Sequence, residues 1–141
     1  EFARHFRIRV VQHAQDLEGP FVAALTALAA THGTHIVAGL LERGDDGRRV
    51  RNAVVAVDGT GLLAHYRKLH LYDAFGQRES DWVEPGELSA PLTFDVDGLT
   101  VGLMTCYDLR FPEMGRVLAD GADHLTQRIC KFAVSVFRRS Y

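Results

Sequence analysis

The apolar positions of this chain follow two different periods, and the switches between them mark out its elements. Between Gly19 and Gly33, Phe21, Leu25 and Leu28, with Val22 and Ala29, fall on one face at helical spacing. Pro20 sits where a helix needs no N–H donor, and Gly33 is placed to stop it. His35 to Glu42 is a short apolar run and reads as a buried strand. Gly44-Asp45-Asp46-Gly47 then turns the chain into Val50 to Val57, and Asp58-Gly59-Thr60-Gly61 turns it into the strand that carries Lys68, which makes a pair of hairpins. Leu92 to Val96 and Leu99 to Cys106 form a further hairpin about Asp97-Gly98, and Pro112 to Ala119 is helical with Gly121 as its stop. The pattern predicts a layered α/β domain with chemistry at strand ends.

The end of the last hairpin strand holds a candidate nucleophile, which by itself also reads as a small buried hydrophobic residue. Cys106 closes the apolar run Thr100 to Cys106 and opens the polar turn Tyr107-Asp108-Leu109-Arg110, directly before the helix start Phe111-Pro112-Glu113. A strand-turn-helix of this kind presents a nucleophile beside backbone N–H groups that can hold an oxyanion. Asp108 and Arg110 read most simply as residues that pair or cap backbone in the turn, and Arg110 is also a candidate contact for an anionic substrate group.

A second candidate lies in Ala64-His-Tyr-Arg-Lys-Leu-His-Leu-Tyr72. In a strand, Tyr66, Lys68 and His70 share one face, and His65, Arg67 and Leu69 the other. On spacing alone the segment also reads as an edge strand with solvated basic residues.

Taken in order, Tyr66-Arg67-Lys68-Leu69-His70-Leu71, Pro85-Gly86-Glu87 and Cys106-Tyr107-Asp108-Leu109-Arg110-Phe111-Pro112-Glu113 resemble the nitrilase superfamily of carbon–nitrogen hydrolases. The amidase branch related to omega-amidase is the most similar. The resemblance covers roughly residues 15 to 123 and implies a Glu-Lys-Cys triad, with Lys68 as the lysine and Cys106 as the nucleophile. It implies a glutamate upstream of Leu17-Glu18-Gly19-Pro20-Phe21, where Glu1 is the candidate, the alternative being that Glu1 is a boundary residue and the glutamate of the triad is absent from this chain. Glu79 resembles an additional glutamate near the lysine and thiol, although Gln77-Arg-Glu-Ser-Asp81 reads equally well as a solvated loop. The Tyr107 backbone N–H is the implied oxyanion donor beside Lys68. The implied fold is part of an α-β-β-α sandwich of the nitrilase type.

The implied activity is hydrolysis of a small linear amide through a cysteine thioester, with the omega-amide of a dicarboxylate as the leading substrate type. Nitrile and carbamoyl-amine hydrolysis use the same triad and remain open, as does a non-catalytic α/β remnant that associates with partners. The implied complete domain is nearly twice as long as this chain, so the chain reads as a fragment. It divides into a partial hydrolase domain, residues 1–123, and a divergent tail, residues 124–141. In that tail Ile129, Phe132, Ala133 and Val136 fall at helical spacing, and Cys130 is given no catalytic role.

Composition narrows the classes. A net charge of −2, from 16 basic and 18 acidic residues, gives no field for nucleic acid. No apolar stretch is long enough to span a membrane, and no signal peptide is visible. Two cysteines make no disulfide framework, and a thiol nucleophile suits a reducing, cytoplasmic compartment. The seven histidines form no metal motif and there is no phosphate cradle, so neither metal nor cofactor is expected. The expected partner is the small amide substrate, with a homo-oligomer for the full-length protein.

Overall fold

A computed structural model describes residues 8–76, 78–87, 92–120, 124–128 and 134–138. Helix α1, described over residues 8–12, leads to α2 (Pro20–His32) and then to three antiparallel strands, β1 (Thr34–Arg43), β2 (Val50–Asp58) and β3 (Gly61–Arg67). A 3₁₀ turn at Glu79–Asp81 follows, then the hairpin β4 (Thr93–Val96) and β5 (Leu99–Thr105), a 3₁₀ turn at Cys106–Arg110, and α3 (Pro112–Ala119). Strands β6 (His124–Arg128) and β7 (Val134–Arg138) complete two sheets, ordered β3-β2-β1-β7 and β4-β5-β6. The mixture is α/β, as the alternation of periods predicts.

Local chemistry accounts for the turns. Gly33 takes φ +56° and its N–H returns to the Ala29 carbonyl, a left-handed stop for α2. Asp97 and Gly98 both have positive φ, +50° and +83°, which is the backbone twist that a two-residue hairpin requires. At the β2–β3 turn the Asp58 carboxylate accepts from the Thr60 backbone N–H at 2.7 Å and from its hydroxyl at 2.6 Å.

Alternation along β2 sorts the core into two layers. Ala53, Val55 and Val57 pack with Ile36, Ala38 and Leu40 of β1 under Val22, Leu25 and Ala29 of α2. Val54 and Ala56 face the other way, onto Val37, Ala64 and Tyr66 and across to Phe94, Val101, Leu103 and Met104 of the second sheet. Each large side chain so buried contributes about 1.5–3 kcal/mol. The stripe read for α2 needs one correction: Leu28 is 48% exposed. The helix turns its Val22–Leu25–Ala29 line to the sheet, and Leu28 lies outside that line.

Two further readings change. The strand carrying Lys68 ends at Arg67, because the chain leaves β3 there. Lys68 nevertheless stays tied as a strand residue would be, its N–H donating to the Asn52 carbonyl at 2.8 Å and its carbonyl accepting from Gly86 at 2.9 Å. In the tail, Val136 lies in β7, paired with Ile36 of β1, rather than in a helix. The β-branched and aromatic residues Val134, Val136 and Phe137 favour a strand, and the edge of β1 away from β2 gives such a segment a ladder to join. Ile129, Phe132, Ala133 and Cys130, like Glu1 and Gly121, lie outside the described residues.

Gly86 holds the backbone next to Lys68 because it has no side chain. A Cβ there would meet the Arg67 carbonyl oxygen at 2.3 Å and the Arg67 Cβ at 2.7 Å, both too close. Gly86→Ala is therefore expected to cost about 1–3 kcal/mol. A thermal melt of the variant checks this, and an unchanged melting temperature would contradict it.

Candidate active site

Three segments meet where β3 and β5 end. The first is the stretch that leaves β3, residues 68–72; the second is the 3₁₀ turn at Glu79–Asp81; the third is the 3₁₀ turn at Cys106–Arg110. The alternation that buries Tyr66 toward the second sheet carries Lys68 to the same side, two residues on.

Lys68 is buried, with 2% of its side chain exposed, and its Nζ lies 2.5 Å from Glu79 Oε2. Glu79 is itself 6% exposed, while Arg78 and Asp81 beside it are 72% and 57% exposed: the loop is solvated, and this one carboxylate turns inward from it. Its Oε2 also accepts the Tyr72 backbone N–H at 2.7 Å, and its Oε1 faces the Asn52 amide at 3.5 Å. The two charges compensate each other in a place where either alone would be strongly disfavoured.

Cys106 opens the third segment. It is exposed, and its backbone takes φ +51°, a left-handed conformation that a non-glycine residue adopts at a cost of roughly 1–3 kcal/mol. Such a sharp strand-to-helix elbow pushes its side chain out of the sheet top. The next residue, Tyr107, sits in the first turn of the 3₁₀ helix, where backbone N–H groups lack intrahelical acceptors. Arg110 is exposed at the end of the same turn.

Asp108 explains how the elbow is held. Its side chain is fully buried and accepts from the Thr105 backbone N–H at 3.0 Å, closing a reciprocal capping box with the Thr105 hydroxyl. It also accepts the Tyr66 hydroxyl at 2.6 Å and the His70 backbone N–H at 3.2 Å, and lies 2.9 Å from His70 Nδ1. Burial pushes the Tyr66 phenol above its ordinary value, and the hydrogen bond to Asp108 pushes it further, so the hydroxyl keeps its proton and donates. Aromatic rings close the same gap. His70 stacks on Phe111 with centroids 3.7 Å apart, and Tyr107 meets Tyr72 and Phe111 edge-on.

The structure thus brings Lys68 and Glu79 into contact and ties their segment to the turn of Cys106, Tyr107 and Arg110. Glu1 lies outside the described residues. Sequence reasoning assigned no part to Asn52, a lone polar residue in β2 with no spacing to mark it, and saw Asp108 only as a turn residue. A cleft of about 200 Å³ opens on the opposite, helix-facing side of β3 beside Arg51, His65, Arg67 and Glu87. Its arginines are already paired, Arg67 with Glu42 at 2.5 Å and Arg51 with Glu84 at 3.2 Å, and it is separate from the Lys68 face. Among the described residues no three His, Cys, Asp or Glu side chains cluster as metal ligands, and no helix is long and apolar enough to cross a membrane.

Comparison with known proteins gives the relatives of the chain. The carbon–nitrogen hydrolase family model matches residues 4–135. The deaminated glutathione amidase of Escherichia coli O157:H7 is 42% identical over 116 residues, covering 82% of this chain and 44% of that protein. The Homo sapiens omega-amidase NIT2 is 33% identical over 129 residues, covering 87% and 43%. Among solved structures, a mutant of the amidase from Nesterenkonia sp. AN1 superimposes with a TM-score of 0.62 at 30% identity, covering 74% of this chain and 39% of that one. That structure is described as showing covalent addition of the acetamide moiety of fluoroacetamide at the active-site cysteine. The chain spans less than half the length of these relatives.

Two outcomes follow from the buried groups. Lys68→Met or Glu79→Leu alone leaves an uncompensated buried charge and is expected to cost about 3–5 kcal/mol, whereas the double variant costs clearly less than the sum. Urea melts of the four proteins give the cycle; additive losses would show that the two groups do not interact. The folded protein holds the Tyr66 proton more tightly than the unfolded chain does, so stability present below about pH 10 is lost as pH rises above it. Melts between about pH 8 and 11 should show this decline in the wild type and a shallower one in Tyr66→Phe.

Proposed function

The chain belongs to the carbon–nitrogen hydrolase family, and from that premise we propose that it carries the nucleophile and the lysine of an amidase acting on small linear amides. The leading substrate type is the omega-amide of a dicarboxylate, with Arg110 near the nucleophile as a cation for the remote carboxylate. The observation that carries the reading is the buried Lys68–Glu79 pair, in a segment fastened to the elbow that exposes Cys106. The relatives named as amidases, and the neighbour whose cysteine is described as carrying an acetamide moiety, support it.

The chemistry follows from charge. An ammonium beside a thiol favours the thiolate, and the Glu1 carboxylate takes the thiol proton as general base. The thiolate adds to the amide carbonyl carbon, and negative charge develops on the oxygen. Lys68 and the Tyr107 N–H meet that charge, each such donor contributing about 3–4 kcal/mol in comparable oxyanion holes. As the C–N bond breaks, the Glu1 carboxylic acid returns the proton to the departing nitrogen, which leaves as ammonia or an amine. The acyl group remains on Cys106 as a thioester. Water, deprotonated by the same carboxylate, releases the acid and restores the thiol. Glu79 holds the Lys68 side chain in place throughout.

A homo-oligomer is part of the same proposal, supported by Leu109 and Val117, which are 60% and 54% exposed on the nucleophile turn and on α3. A thiolate enzyme of this kind fits the reducing conditions of the cytoplasm.

Amide turnover, followed as ammonia release from a dicarboxylate omega-amide and from carbamoyl-amine and nitrile analogues, tests the reading. Lys68→Ala is expected to lower turnover by at least about a hundredfold, with Lys68→Arg giving no rescue, because a planar guanidinium cannot take the place of a compact ammonium. Lys68→Arg with most of the activity would make Lys68 a structural cation. Iodoacetamide near neutral pH should modify Cys106 faster than Cys130 in the folded protein, and equal rates would remove Cys106 from its role.

A further inference from the structure

Asp108 receives more hydrogen bonds than a turn cap needs. A capping box requires only the Thr105 N–H, yet the same carboxylate also accepts from Tyr66, forty-two residues away, and from His70. Tyr66 is equally over-committed. Its hydroxyl donates to Asp108 Oδ2 at 2.6 Å and accepts the Leu69 backbone N–H at 2.9 Å. These bonds form one continuous line: Leu69 N–H to Tyr66 oxygen, Tyr66 O–H to Asp108, and Thr105 N–H to the same carboxylate oxygen. One end is the peptide directly after Lys68, and the other is the residue directly before Cys106.

We propose that Tyr66 and Asp108 are the positioning residues of this site, a buried hydroxyl–carboxylate pair that sets the separation between the Lys68 ammonium and the Cys106 thiol. This rests on the reading of Lys68 and Cys106 as reacting groups. Neither positioning residue touches substrate; they act through the backbones they hold. Both lie in a dry interior, Tyr66 and Asp108 each 0% exposed, where a hydrogen bond to a charged acceptor is stronger than at a surface. The line is also the anchor that keeps Cys106 at φ +51°, since the residue before it is pinned by Asp108 and the residue after it is packed between Tyr72 and Phe111. Loosening it lets the elbow relax toward ordinary backbone angles and carries the thiol away from the ammonium.

The rate of Cys106 alkylation by iodoacetamide against pH reads this separation, because it follows the thiolate fraction. Measurements on the full chain cover wild type, Tyr66→Phe, Asp108→Asn, the Tyr66→Phe/Asp108→Asn double variant and Lys68→Ala, each with a thermal melt. Tyr66→Phe keeps the ring in the core and removes a single oxygen, so it keeps the test decisive if Asp108→Asn does not fold.

Tyr66→Phe should move the profile to higher pH, with alkylation near neutral pH slowed about tenfold. Asp108→Asn should move it in the same direction, against the effect of merely removing a negative charge near the thiol, and the double variant should add little to either single change. A folded Tyr66→Phe whose profile superimposes on wild type, while Lys68→Ala is shifted, overturns the positioning role and leaves the Lys68–Cys106 reading intact. An unshifted Lys68→Ala overturns both.

Discussion

A charged amine enclosed in a protein interior dictates everything placed around it. Lys68 can occupy its position only because Glu79 faces it, and Glu79 can face it only because the backbone N–H of Tyr72 and the amide of Asn52 support the carboxylate. These requirements fix the path of the chain after β3. The segment must run back from Lys68 past Tyr72 so that the 3₁₀ turn can return Glu79 to the ammonium, and the Asn52 carbonyl and Gly86 N–H must clamp the lysine backbone from both sides. The second sheet, packed on the first through the apolar layer, is also tied to it by Tyr66 and Asp108, so that the acid-paired lysine and the exposed thiol are linked although they follow strands of different sheets.

Division of labour among the carboxylates is strict. Glu79 holds the lysine, Asp108 holds the cysteine turn, Glu42 holds Arg67, and Glu84 holds Arg51 and the turn at Asp45. All four are buried. Four of the 18 acidic residues are thus placed inside, where each carboxylate has a specific cation or a set of N–H donors.

What could be read from the residues alone was whatever is decided locally. The Asp97-Gly98 hairpin, the Gly33 stop and the strand-turn-helix at Cys106 are set by neighbours in the chain, and each appeared where turn chemistry placed it. Lys68 and Cys106 stood out because ordered motifs surround them. Glu79 stayed ambiguous since its burial depends on a lysine eleven residues away across a loop with no periodicity. Asn52 and Asp108 were illegible as parts of the site for a stronger version of the same reason: their partners lie 27 and 42 residues off, and nothing in a strand asparagine or a turn aspartate announces such a contact. Leu28 and Val136 show the limit of spacing itself, since an apolar position at helical period says which face it shares but not whether that face is covered or the segment is helical.

Arg67 and Lys68 are adjacent cations whose side chains leave the backbone on opposite sides, one to Glu42 and the other to Glu79. This arrangement acts as a lock on strand alignment. If β3 slid by a single residue along β2, every side chain would exchange faces, the guanidinium would be driven into the space shaped for an ammonium, and Glu42 would lose its two-pronged partner. Aliphatic residues such as Leu62, Leu63 and Ala64 discriminate poorly between neighbouring alignments, and the β2–β3 ladder already contains an irregularity at Ala56 and Val57. The unequal shapes of two neighbouring cations supply the discrimination that the apolar residues lack, so the alignment of this strand is proofread by charge.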